Sequence, residues 1–163
     1  PTETTFSNLF GPAALARFDR DVLSQAGVKY VIVLLGINDI GHPGGSAPDS
    51  EKVTADEIIA GHLQLIARAH EKGLKIYGCT LLPFEDTTLK NFYSPEKDKL
   101  RQAVNEWIRT SGAYDAVIDF DRVVRDPGRP SRILPAYDGG DHLHPSDAGQ
   151  KAMANAINLD LFR

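Results

Sequence analysis

Two short segments carry side chains whose types and spacing could move protons and stabilise charge. The first is Asp141-His142-Leu143-His144-Pro145, set between a Gly-Gly pair and a final helical stretch. A carboxylate three residues before an imidazole on a tight turn can accept from one ring nitrogen and leave the other free as a base. Histidine suits that task because its unperturbed pKa lies near neutrality. The second segment is Gly36-Ile37-Asn38-Asp39, which follows an apolar run. An amide side chain there is a neutral donor, able to hydrogen-bond an oxygen that gains negative charge. Each segment also has a plainer reading. Asn38 and Asp39 are common turn formers that bond their own backbone, and Asp141 could simply cap its turn, leaving both histidines solvated.

The elements that must position these residues follow from apolar periodicity. Leu15, Phe18, Val22 and Leu23 repeat at helical spacing between Pro12 and Gln25, with Gly27 as a stop. Val28 to Leu35 is β-branched and almost continuously apolar, as expected of a central strand covered on both faces. Thr54 and Glu57 have capping-box spacing, and Ile58, Ile59, Leu63, Ile66 and Ala69 mark a helical face up to Gly73. Leu74 to Leu82 reads as a second strand. Ser94 and Pro95 open a helix with Leu100, Val104, Trp107 and Ile108 inward, and Tyr114 to Phe120 reads as a third strand. Asp126 to His144 is a Pro- and Gly-rich loop, and a last helix from Ser146 or Asp147 turns Ala152, Met153, Ala156 and Ile157 inward. Alternating strands and helices call for a three-layer α/β/α domain, with a parallel, flavodoxin-like sheet and ligands at the strands' carboxyl ends. Both chemical segments fall at that edge.

Composition bounds the rest. The 163 residues hold 42% hydrophobic and 25% charged side chains, the proportions of one ordinary globular domain spanning residues 1–163. Eighteen Lys and Arg against 22 Asp and Glu leave a net charge of −4, which argues against a phosphate-neutralising nucleic-acid surface and against electrostatic attachment to a membrane. Cys79 is the single cysteine, so neither an intrachain disulfide nor a Cys-rich zinc module is possible. The apolar run from Tyr30 to Leu35 is far short of a membrane span.

Taken together, V-I-V-L-L-G-I-N-D and D-H-L-H-P-S-D-A-G resemble the third and fifth sequence blocks of the SGNH hydrolases, the GDSL family of lipases and esterases. The resemblance covers nearly the whole chain. The segment Gly11 to Asp21 also looks like the helix before block three in a bacterial subgroup that includes carbohydrate esterases. The resemblance implies that His144 is the general base, Asp141 its orienting carboxylate and Asn38 an oxyanion donor, with Gly36 and Asp39 beside the substrate. It implies no cofactor and no metal. The substrate would be a small ester or an acylated carbohydrate, and a secreted or periplasmic location would fit the family, although the start of the chain has no signal-peptide pattern.

The family's nucleophile, a serine in a Gly-Asp-Ser block, has no counterpart among Ser7, Ser24, Ser46, Ser50, Ser94, Ser111, Ser131 and Ser146. Ser46 is the one near the expected active edge, and its flanks lack the pattern of a strained, exposed nucleophile turn. The expectation is that the first two strands, with the serine and a second oxyanion donor, lie on a missing N-terminal segment. This chain alone would then be inactive, and the Val28 to Leu35 strand would expose an edge open to self-association or to that segment. Two alternatives stay open: a non-catalytic flavodoxin-like binding or assembly domain, and a metal site built on Asp141, His142 and His144 with Asp39 or Asp138.

Overall fold

The β-branched run after Lys29 forms the first strand of a parallel sheet, in a computed structural model that describes residues 11–163. Strands β1 (Tyr30–Val33), β2 (Lys75–Cys79) and β3 (Ala116–Ile118) lie side by side in chain order. Tyr30 pairs with Lys75, and Tyr77 with Ala116. The N-terminal helix is shorter than its periodicity suggests: α1 (Ala14–Phe18) passes into a wider π-type turn over Asp19–Leu23. Next come α2 (Ile37–Gly41), α3 (Ala55–Glu71) and α4 (Pro95–Thr110).

The starts and stops of α3 and α4 are local chemistry. Thr54 Oγ1 accepts from the Glu57 backbone N–H while the Glu57 carboxylate accepts from that of Thr54, so two otherwise orphaned donors are satisfied reciprocally. Ser94 Oγ caps α4 by accepting from Lys97 N–H, with Pro95 at the first position.

The sheet has a helical layer on each face. Val31, Val33 and Ile76 pack against Phe18, Leu65, Ile66, Val104 and Ile108 of α1, α3 and α4. Tyr77, Cys79 and Ile118 meet Met153, Ile157, Leu161 and Phe162, from α6 (Asp147–Asn155) and the turn after it. This is the three-layer arrangement the alternating pattern implies.

Strand β1 lies at the sheet edge among the described residues, where its apolar run alone suggests a central strand and the expected absence of the family's first strands an exposed one; Ile32 is 45%, Leu34 39% and Leu35 39% exposed. Two further features were not read from the sequence. Between β3 and α6 the supposed loop contains α5 (Phe120–Val124) and an antiparallel hairpin of β4 (Arg125–Asp126) and β5 (Arg129–Ile133). Arg101, on α4, is buried with Asp98 and Asp121, donating to both carboxylates at 2.7 Å and to the Leu81 carbonyl at 3.1 Å. With Asn105 bonded to both backbone groups of Leu81, these charges fix the carboxyl end of β2. Ser7 lies outside the described residues.

Candidate active site

The segment Asp138 to Pro145 is held as a tight loop entering α6, and its backbone does much of the positioning. Asp141 Oδ1 accepts from the backbone N–H groups of Leu143 and His144 at 3.0 and 2.8 Å. Its Oδ2 faces His144 Nδ1 at 2.6 Å. Burial opposes ionisation of Asp141, but the imidazole and the two amides outweigh it and hold the carboxyl down to about 2. The carboxylate Oδ2 can only accept, so in the neutral ring the proton sits on Nδ1 and Nε2 is the nitrogen left to accept. The side chain of His144 is 74% exposed, so the ring is accessible.

Asn38 stands on the first turn of α2, directly beyond β1, and is exposed. Gly36 makes that placement possible. Its φ of 122° is a conformation that side-chain-bearing residues avoid, while the space beside it would admit a Cβ in ordinary contact with Ile58 and Leu81. Gly36 is the buried N-cap residue at which the chain turns from β1 into α2. Leu143, the neighbour of His144, and Ile40, two residues beyond Asn38, belong to one hydrophobic core with Phe84 and Phe92. The Thr88 N–H donates to the Asp141 carbonyl at 3.1 Å, tying the loop after β2 to the histidine loop. The two chemical segments are thus anchored to one core.

Asp39 points elsewhere. It lines an open cavity of about 700 Å³ with Ile40, Val53, Thr54, Tyr93 and Leu100. Desolvation raises its carboxyl pKa, although much of its surface stays open to the cavity. That space is walled by α2, α4 and the residues before α3.

The sequence offered His142 and Asp138 only as candidate metal ligands, and the structure pairs them with each other. Asp138 Oδ1 accepts from Gly140 N–H at 2.8 Å and His142 N–H at 3.1 Å, and Oδ2 bonds His142 Nδ1. His142 adopts a φ of 57° to make this bond. The signal was present as Asp and His four apart around Gly-Gly. Two interleaved Asp-His pairs thus replace the metal constellation: among the described residues, no group of three or more His, Cys, Asp or Glu is placed to hold a metal ion.

Asn38 leads by one turn to His42, whose N–H donates to the Asn38 carbonyl at 3.1 Å. His42 Nδ1 bonds Ser46 Oγ at 2.5 Å, a contact sequence reasoning missed because attention rested on the serine's immediate flanks.

Comparison with solved structures agrees on the architecture. A GDSL-like lipase from Bacteroides thetaiotaomicron superposes with a TM-score of 0.70 at 18% identity, covering 91% of this chain and 68% of that one. An acetylxylan esterase from Geobacillus stearothermophilus gives 0.61 at 21% identity, covering 88% and 63%. The chain thus spans about two thirds of the length of the first and rather less of the second. At this identity the likeness is one of fold. No curated protein matches the sequence. The model of the GDSL-like lipase/acylhydrolase family matches residues 2–152, and the chain belongs to that family.

Proposed function

We propose that this chain carries the base and an oxyanion donor of an ester hydrolase whose nucleophilic serine is supplied by a segment outside these 163 residues. The observation behind the reading is the His144 ring, fixed through Nδ1 by a carboxylate that two backbone amides also hold. In this mechanism His144 Nε2 takes the proton from the serine hydroxyl as its oxygen attacks the ester carbonyl. The Asn38 amide donates to the carbonyl oxygen as it becomes negative. His144 then returns the proton to the leaving alcohol, and a water molecule releases the acyl group by the same path. Asp141 stays ionised throughout and stabilises the transient imidazolium. Small esters or acetylated carbohydrates are the substrate class, a choice supported by family membership and by the fold shared with an acetylxylan esterase.

The coding residues upstream of Pro1 supply the test. Joined to them, the chain is expected to hydrolyse p-nitrophenyl acetate, and His144→Ala should lower the rate about 10³-fold or more. Without them, no turnover that depends on His144 is expected. Turnover by the 163-residue chain that His144→Ala abolishes would place the nucleophile inside these residues. An extended chain carrying Gly-Asp-Ser but devoid of esterase activity would instead favour a binding domain.

A further inference from the structure

Ser46 has the surroundings of a reactive hydroxyl, on a loop separate from His144. It is exposed, while its Oγ lies 2.5 Å from Nδ1 of His42. The His42 ring is held edge-on against Phe92, with centroids 4.9 Å apart, so the imidazole is positioned by packing. The bland account is a local brace, a side-chain bond that merely closes the turn between residues 42 and 47. That turn is already closed. The His42 carbonyl accepts from Gly45 and Ala47 N–H, and Gly44 N–H donates to the Ala47 carbonyl. Lys97 Nζ bonds the carbonyls of Gly41, Pro43 and Asn91, pinning the loop from outside. Asn91 Nδ2 adds a bond to the Gly44 carbonyl. With the backbone so fully held, the His42–Ser46 bond is not needed to shape the loop. Asn38 stands one turn earlier, and side chains four apart on a helix share a face. A hydroxyl, a base and an amide donor thus follow one another along one short stretch.

We propose that Ser46 is a second nucleophile, activated by His42 and open to acylation by small activated carboxylic esters. The serine oxygen bonds to the acyl carbon and the ester C–O bond breaks. The serine proton passes to His42 Nδ1 and from there to the departing phenoxide or alkoxide. Water then cleaves the acyl-serine, restoring the hydroxyl and releasing the acid. Burial and the nearby charge of Lys97 both keep His42 below the usual histidine pKa, which favours the neutral ring, and its Nε2–H tautomer accepts the serine proton through Nδ1.

The test uses the 163-residue chain as it stands. It is incubated with p-nitrophenyl acetate or a fluorophosphonate, and the adduct is located by peptide mass spectrometry. The expected result is a single main adduct on Ser46, absent in Ser46→Ala. Labelling should slow roughly tenfold or more in His42→Ala and in His42→Phe, the latter keeping a ring against Phe92. No adduct on Ser46, or one that forms as fast in His42→Phe, would overturn the proposal. Because the readout is the modified residue, its failure is distinct from failure of the reading built on His144.

Discussion

An imidazole accepts protons through its unprotonated nitrogen, and at His144 one carboxylate decides which nitrogen that is. Asp141, held at about 2, remains charged over the whole range in which histidine is neutral. The expected consequence is a Nδ1–H tautomer for His144 in nitrogen-detected NMR near pH 8. Asp141→Asn presents an amide that can donate to Nδ1, and it should move the ring proton to Nε2. A predominant Nε2–H form in the unaltered chain would break the assignment. The Asp141/His144 pair was legible from spacing alone, since three residues on a turn leave few arrangements for a short carboxylate and a ring. The pairs Asp138/His142 and His42/Ser46 were equally local but went unread, because a four-residue interval gains meaning only when the backbone between is known to turn back. His142 at a φ of 57° illustrates this.

Secondary structure was most legible where a cap and a periodic face coincide, as at Thr54 to Glu71. It was least legible in the hairpin of β4 and β5. There Asp126-Pro127-Gly128-Arg129 does signal a turn, but Arg, Asp, Pro and Ser in the arms give no strand pattern. At the opposite edge from the histidines, Asp115 joins α3 to β2: it accepts from Ile76 N–H at 2.9 Å, Lys75 Nζ at 2.8 Å and His70 Nε2 at 2.8 Å. Burial works against its charge, yet these donors prevail and hold its pKa at about 2. A depressed carboxylate pKa adds stability above the unfolded value, near 4, that is lost as pH falls through the folded one. Asp115→Asn should therefore cost about 1 to 2 kcal/mol at pH 7, and the gap between the two proteins should close as pH drops from about 4 towards 2. Urea melts at pH 7 and pH 3 measure it, and an equal gap at both would refute the linkage.

For the molecule as a whole, the exposed edge of β1 dominates. Ile32, Leu34 and Leu35 border a groove of about 330 Å³ shared with Phe18 and Val22 of the N-terminal helical stretch. Among the described residues no strand pairs with the outer side of β1, and an open edge beside apolar side chains invites another strand. A second copy is the expected occupant in a solution of this chain alone, seen as a dimer by size-exclusion chromatography with light scattering. Ile32→Lys with Leu34→Lys should return the monomer, and a clean monomer of the unaltered chain would count against the idea. The sequence by itself determined the α/β class, the long helices with their caps, and the pairing of Asp141 with His144, because each rests on neighbours a few residues apart. Only the tertiary structure decided that Arg101 lies buried among carboxylates from two helices, and that the segments bearing Asn38 and His144 are anchored to one core. Those outcomes depend on contacts between residues far apart in the chain, and they are set by which apolar faces close on one another once the sheet forms.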